Sequence, residues 1–160
     1  MHFVAALRLL LRAAGTGGGH EIKRLAGFSD LLEERLLPVD TVNAVAITDG
    51  GKTGSIAMSF GTEFKSGLLI EIVTTNGVVA WTPTSVKVVS KNAAGDKVED
   101  TKEYVYDNGV SNEIVAFGKA IESGKLEERQ MPLEALKDLE ILQRLLESGR
   151  DDAALKGIEV

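Results

Sequence analysis

From Asp40 to Tyr106 apolar residues recur at every second position, the pattern of strands that turn one face to a core. In Thr41–Thr48, Val42, Ala44 and Ala46 share one face and Val45 and Ile47 the other. The D-G-G-K run at Asp49–Lys52 reads as a hairpin turn, because adjacent glycines accept positive φ. Ser55–Phe60 then returns with Ile56, Met58 and Phe60 alternating against Ser55, Ala57 and Ser59. Leu68, Ile70 and Ile72 predict a further strand, and Asn76-Gly77 turns it into Val78–Thr82. Val86–Lys91 and Lys97–Tyr106 follow, separated by the polar turn Asn92–Asp96. Successive strands joined by short turns predict an antiparallel meander.

At both ends of the chain the period becomes helical. Phe3, Leu7, Leu10, Leu11 and Ala14 fall on one face of a first helix, with Arg8 and Arg12 on another. Gly15–Gly19 reads as a flexible loop and Glu21–Gly27 as an extended segment. Ser29–Leu37 reads as a short helix or turn that Pro38 ends. A second helix is expected from an N-cap at Ser111, with Ile114, Phe117 and Ile121 as its stripe and Gly124 as its stop. Pro132 suits the first position of a third helix, in which Leu136, Leu139, Leu142 and Leu146 repeat until Gly149. If that stripe is core, Leu139→Ala costs roughly 2–5 kcal/mol. The expected architecture is one α+β domain over residues 1–160, a mostly antiparallel β-sheet meander with helices packed on one face.

Charge and composition narrow the partners. The net charge of −6 disfavours nucleic acid and anionic lipid, which need a concentrated basic surface. The absence of cysteine excludes disulfides and thiolate chemistry, and a reducing compartment, the cytoplasm, is expected. Met1–Ala14 holds two arginines and no acid, which gives a mitochondrial presequence as the alternative. No run approaches the ~20 apolar residues of a membrane span.

Most motifs that resemble chemistry lack its context. Gly15, Gly17 and Gly19 resemble a dinucleotide loop, but a helix precedes them and an extended segment follows, the reverse of the order pyrophosphate binding needs. Gly51-Lys52-Thr53 resembles the end of a P-loop, yet Ala46 stands where its first glycine belongs. His20 has no second ligand at metal spacing, so no metal site is expected, and Glu127-Glu128 and Asp151-Asp152 read as solvated loop charge.

The last third carries a more specific pattern. E-I-V-A-F-G-K-A-I at Glu113–Ile121, the Gly124 break, Pro132, and E-A-L-K-D-L within Glu134–Gly149 resemble the close of the Gfo/Idh/MocA family of NAD(P)-dependent oxidoreductases. The H-F-V-A-A-L-R-L-L-L start resembles the helix that, in that family, follows an aspartate and a histidine four residues later. The resemblance runs over nearly the whole chain. It implies the family's C-terminal domain, of the glyceraldehyde-3-phosphate dehydrogenase C-terminal type, which carries the substrate site and the subunit contacts. It gives His2 the family histidine's role, acid/base work on a substrate hydroxyl as hydride leaves carbon, a task imidazole suits. The partner aspartate would precede Met1, and the family's Glu-Lys-Pro lysine lies further upstream. The implied cofactor is NAD or NADP, bound by a Rossmann domain that these residues do not include, so no cofactor-binding residue is expected here and the chain is expected to be inactive alone. The implied substrate is a sugar, polyol or related hydroxy compound. A homo-oligomer is expected through the open sheet face, as Val42–Ile47 and Leu68–Val73 carry apolar residues on both sides. The alternative is a non-enzymatic interaction protein that uses that face, and a third reading is a small-ligand domain without redox chemistry.

Overall fold

The computed structural model describes residues 2–14 and 20–159, so the Gly15–Gly19 stretch lies outside the described residues. In chain order the elements are α1 (His2–Ala14), β1 (Ile22–Asp30), a 3-10 turn (Glu34–Leu36), β2 (Thr41–Thr48), β3 (Thr53–Ser59), β4 (Ile70–Thr74), β5 (Gly77–Thr82), β6 (Ser85–Lys91), β7 (Lys97–Glu103), α2 (Val110–Ser123), a second 3-10 turn (Glu128–Gln130), α3 (Pro132–Arg150) and β8 (Lys156–Gly157). They form two compact units, Met1–Lys65 with Pro132–Val160, and Ser66–Met131.

The first unit is built on a four-stranded sheet in the order β3-β2-β1-β8, every pair antiparallel. Registers Leu25 to Ala46, Gly27 to Ala44 and Ser29 to Val42 put these residues on one face. That face is buried: Leu25 is 0% exposed, and Val42, Ala44 and Ala46 are buried too. Ile22 of β1, Ile141 and Leu145 of α3, Val4 of α1 and Ile158 complete the core. Small residues set the distance between layers. A Cβ on Gly27 would stand 2.5 Å from the Ala44 Cβ, so β1 and β2 admit no larger pair at this point. A Cβ on Gly149 would stand 2.1 Å from the Ser29 hydroxyl, which brings the end of α3 down on β1. Ser148, also 0% exposed, accepts the Gly27 N–H at 2.9 Å and donates to the Ala154 carbonyl at 2.8 Å, so its hydroxyl is satisfied in the core.

The second unit is a sheet in simple chain order, β4-β5-β6-β7, again antiparallel throughout, with α2 in the same unit. Ile72, Val79 and Val88 lie opposite one another across β4, β5 and β6. Among the described residues of this unit none is buried, and Ile114, Phe117 and Ile121 of α2 are exposed.

The α+β class, the antiparallel pairing and the meander order stand. So do the hairpins at Asp49–Lys52 and Asn76-Gly77, the stop at Gly124 and the start at Pro132. Other expectations need correction. The strands form two sheets, because alternation announces a strand without saying which strand it joins. β1 runs to Asp30, so only Glu34–Leu36 of the expected helix or turn is helical, and β7 ends at Glu103, leaving Tyr104, Val105 and Tyr106 exposed. Gly109, in the left-handed region at φ 78°, precedes α2 in the place expected of Ser111.

The helix faces also turn. α3 buries Asp138, Ile141, Leu145 and Ser148, while Leu136 and Leu139 are about half exposed at 50% and 51%. In α1 the deepest side chains are Val4 and Arg8, and the arginine expected on the polar face is only 3% exposed. Both rotations share an ionic contribution, described next.

Candidate functional site

His2 opens α1 and is exposed. Its neighbour Phe3 stacks on Phe60 just beyond β3, with ring centroids 6.0 Å apart and planes at 21°. Asp40 organises the chain at this end of the sheet. Its buried carboxylate accepts the Glu33 N–H at 2.7 Å, the Leu32 N–H at 3.1 Å and the Thr41 hydroxyl at 2.9 Å. Burial works against that charge, but the N–H and hydroxyl donors outweigh it and hold the carboxyl below its ordinary range. Gly61 is required beside it, since a Cβ there would meet the Asp40 carboxylate at 2.2 Å. His2 thus stands at the end of the unit that Phe3, Phe60 and the 31–40 loop define. Among the described residues no hydrogen bond or ion pair reaches its ring.

Beside the apolar contacts of Val4, Leu7 and Leu11, an ionic seam holds α1. Arg8 points from α1 into α3, with Nη1 2.5 Å from Asp138 Oδ1 and 3.1 Å from the Glu134 carbonyl, and Nη2 2.9 Å from Glu134 Oε2. Its Nε reaches Glu21 at 3.4 Å. Arg12, one turn on, joins Glu21 at 2.6 Å and Glu134 at 2.8 Å. Glu134 and Asp138, four residues apart, share one helix face, so α3 must turn that face inward and Leu136 and Leu139 outward. Burial opposes the charge on Arg8, but the Asp138 hydrogen bond and the surrounding carboxylates prevail and raise its pKa. Burial likewise opposes the charge on Glu134, and the two arginines overcome it and lower its pKa. Sequence periodicity missed this cluster. The signal available was the pair Arg8 and Arg12 at helical spacing on α1, matched by Glu134 and Asp138 at the same spacing on α3.

The other candidates have ordinary surroundings. His20 is half-buried with Nδ1 3.5 Å from Asp49 Oδ1. Glu127 pairs with Arg129 at 2.6 Å and Asp151 pairs with Lys156. No group of three metal-ligating side chains exists among the described residues. Gly51-Lys52-Thr53 lies in the β2–β3 hairpin, with Gly51 at φ 72°. A dinucleotide needs a parallel strand–loop–helix cradle. All described strand pairs are antiparallel, so the described residues form no cradle of that kind.

No family model matches the chain. The dehydrogenase FPY6 of Fusarium mangiferae is 46% identical over 156 residues, which are 98% of this chain and 44% of that protein. An oxidoreductase from Thermotoga maritima superposes with a TM-score of 0.76 at 20% identity, over 98% of this chain and 42% of that one. A levoglucosan dehydrogenase in complex with NADH and L-sorbose superposes at 0.69 with 15% identity, over 87% of this chain and 45% of the enzyme. The chain thus spans somewhat under half the length of the proteins it matches.

Proposed function

We propose, from the premise that the chain corresponds to the C-terminal domain of a Gfo/Idh/MocA-type oxidoreductase, that it supplies the substrate side of an NAD(P)-dependent dehydrogenase acting on a sugar, polyol or related hydroxy compound. The observation that carries this reading is the 46% identity to a dehydrogenase over 98% of the chain. His2 is the acid/base residue in it. At the exposed start of α1 its imidazole can take a proton from a substrate hydroxyl and return it. Phe3 and Phe60 offer an apolar wall beside it for the carbon face of a sugar ring. The nicotinamide cofactor belongs to a nucleotide-binding unit that residues 2–14 and 20–159 do not form, and the 160-residue chain alone turns nothing over.

The test is an NMR titration of the purified chain with levoglucosan, L-sorbose, NADH and NADPH, beside a turnover assay. Saturable sugar-dependent shifts at His2 and Phe60, with none from either dinucleotide, are expected. Micromolar dinucleotide binding, or turnover by the chain alone, defeats the reading.

A second reading rests on the outer face of the first sheet. Phe28 and Val45 are 61% and 59% exposed there, on neighbouring strands with Ala26 and Ala57. This face is the surface through which the chain assembles with a second copy, in the cytoplasm, with or without catalysis. Light scattering of the wild type and of Val45→Lys distinguishes it, since a strict monomer at high concentration in the wild type removes the idea.

A further inference from the structure

At the opposite end of the same sheet from His2, where the β2–β3 hairpin meets the start of β1, the first unit holds a pocket of about 220 Å³. Its apolar lining is Ile22, Ile141 and Ile158, all buried, and its charged lining is the equally buried Arg8 with a rim of Glu21, Lys23, Asp49 and Lys137. The volume is below the ~300–1,000 Å³ of sites for drug-sized ligands and suits a much smaller molecule.

These charges are unequally committed. Arg8 is held by Glu21, Glu134 and Asp138. Glu21 is in turn held by Arg8 and Arg12. Asp49 accepts the Gly50 N–H at 2.7 Å and the Glu21 N–H at 3.3 Å, with the His20 ring 3.5 Å away. Among the described residues Lys137 has only Glu134, at 3.7 Å, beyond hydrogen-bond reach, and that carboxylate already serves Arg8 and Arg12. No ion pair or hydrogen bond reaches the Lys23 ammonium among the described residues. Two ammonium groups are therefore left with donors to spend beside an apolar floor, Lys137 on a side chain only 24% exposed.

We propose that this pocket binds a small organic monoanion, a short-chain carboxylate whose apolar body lies on the three isoleucines and whose oxygens take hydrogen bonds from Lys137 and Lys23. The carboxylates of Glu21 and Asp49 also line the site: Glu21 is offset by Arg8 and Arg12, and Asp49 keeps its charge while two backbone N–H groups occupy its Oδ1. A neutral amide of the same shape would bury the same apolar area and offer the two ammonium groups one uncharged carbonyl oxygen in place of a carboxylate. The site stands apart from His2: of its lining, Arg8 alone shares α1 with His2, six residues on and roughly 9 Å along the helix, and it requires no redox role for the chain.

The test uses the whole 160-residue chain with isobutyrate as the probe and isobutyramide, its neutral counterpart, as the control. NMR should show saturable shifts of the Ile22, Ile141 and Ile158 methyl groups with isobutyrate at pH 7 and little response to isobutyramide. Lys137→Met should weaken isobutyrate binding by roughly ten-fold, the loss of one charge-assisted hydrogen bond, and Lys137→Arg should restore most of it. Equal responses to acid and amide, or unchanged affinity in folded Lys137→Met, overturn the proposal. So does a linear response that never saturates.

Discussion

The two units share strand pairing and differ in what covers it. In the first, α3 and α1 close one face of β3-β2-β1-β8, and every buried side chain among the described residues belongs to that layer or to its edges. In the second, β5 is only half-buried along its whole length and β7 is exposed along all of its own. Both sheets alternate apolar residues at period two, so period alone does not make a core. A core needs a second layer with a matching face. The first unit obtains one because α3 presents Ile141 and Leu145 and is fixed in rotation by Glu134, Asp138 and Ser148.

The contrast predicts where substitutions are felt. Arg8→Met should have the largest effect, about 3–5 kcal/mol, since it leaves Asp138, Glu134 and Glu21 facing one another with Arg12 alone among the seam's arginines. Chemical denaturation followed by far-UV circular dichroism measures the cost, and hydrogen exchange read by segment locates it in α1, β1 and α3. A loss below about 1 kcal/mol would mean that Val4, Leu7 and Leu11 hold α1 without the ionic seam. Leu145→Ala comes next, at roughly 2–5 kcal/mol, as the side chain is 1% exposed and the layer beneath it is Leu25. The measurement is the same, with exchange in β1 and β2 accelerating first.

Legibility followed the same division. Turn chemistry and period two located the hairpins, because both are properties of adjacent residues: Asp49–Lys52 and Asn76-Gly77 need nothing distant to form. The Pro132 start and Gly124 stop were readable for the same reason. Helix rotation was not. A leucine stripe at Leu136, Leu139, Leu142 and Leu146 satisfies the helical period, and so does the stripe Asp138, Ile141, Leu145, Ser148 that the fold buries. The choice between them depends on Arg8, which is 130 residues away from Asp138 in sequence, and on the Gly27 N–H, which needs the Ser148 hydroxyl. Ile158 and the short β8 were missed because two residues of strand carry no period. Of the candidate site, the His2 position was visible through the family resemblance, whereas its surroundings were not: Phe60 reads as one more alternating residue, and only the fold sets Phe3 against it.

Leu139→Ala sharpens the point about rotation. With the side chain 51% exposed, the expected cost is about 1 kcal/mol or less, instead of the 2–5 kcal/mol that a core position would give. Thermal unfolding of Leu139→Ala beside Leu145→Ala tests it directly, and equal destabilisation would return the leucine stripe to the core and with it a different rotation of α3.

The smallest effect expected is one of pH, and it too falls on the first unit. The carboxyls of Glu134 and Asp40 are both held below their ordinary range, the first by Arg8 and Arg12 against the effect of burial, the second by N–H and hydroxyl donors against the same effect. A depressed folded-state pKa stabilises the fold above the unfolded value and loses that contribution as pH falls through the folded one. For these groups the loss begins below about pH 4, near the ordinary carboxyl values, and nothing is lost from them between pH 7 and 5. Arg8, raised, stays charged throughout and adds no slope in this range. Unfolding free energy measured from pH 7 to 2.5 should therefore be flat from these groups and then decline, and Asp40→Asn should show a shallower decline than the wild type. An identical acid limb in Asp40→Asn would mean that the 31–40 loop, and the end of the sheet where His2 stands, does not depend on the ionised carboxylate.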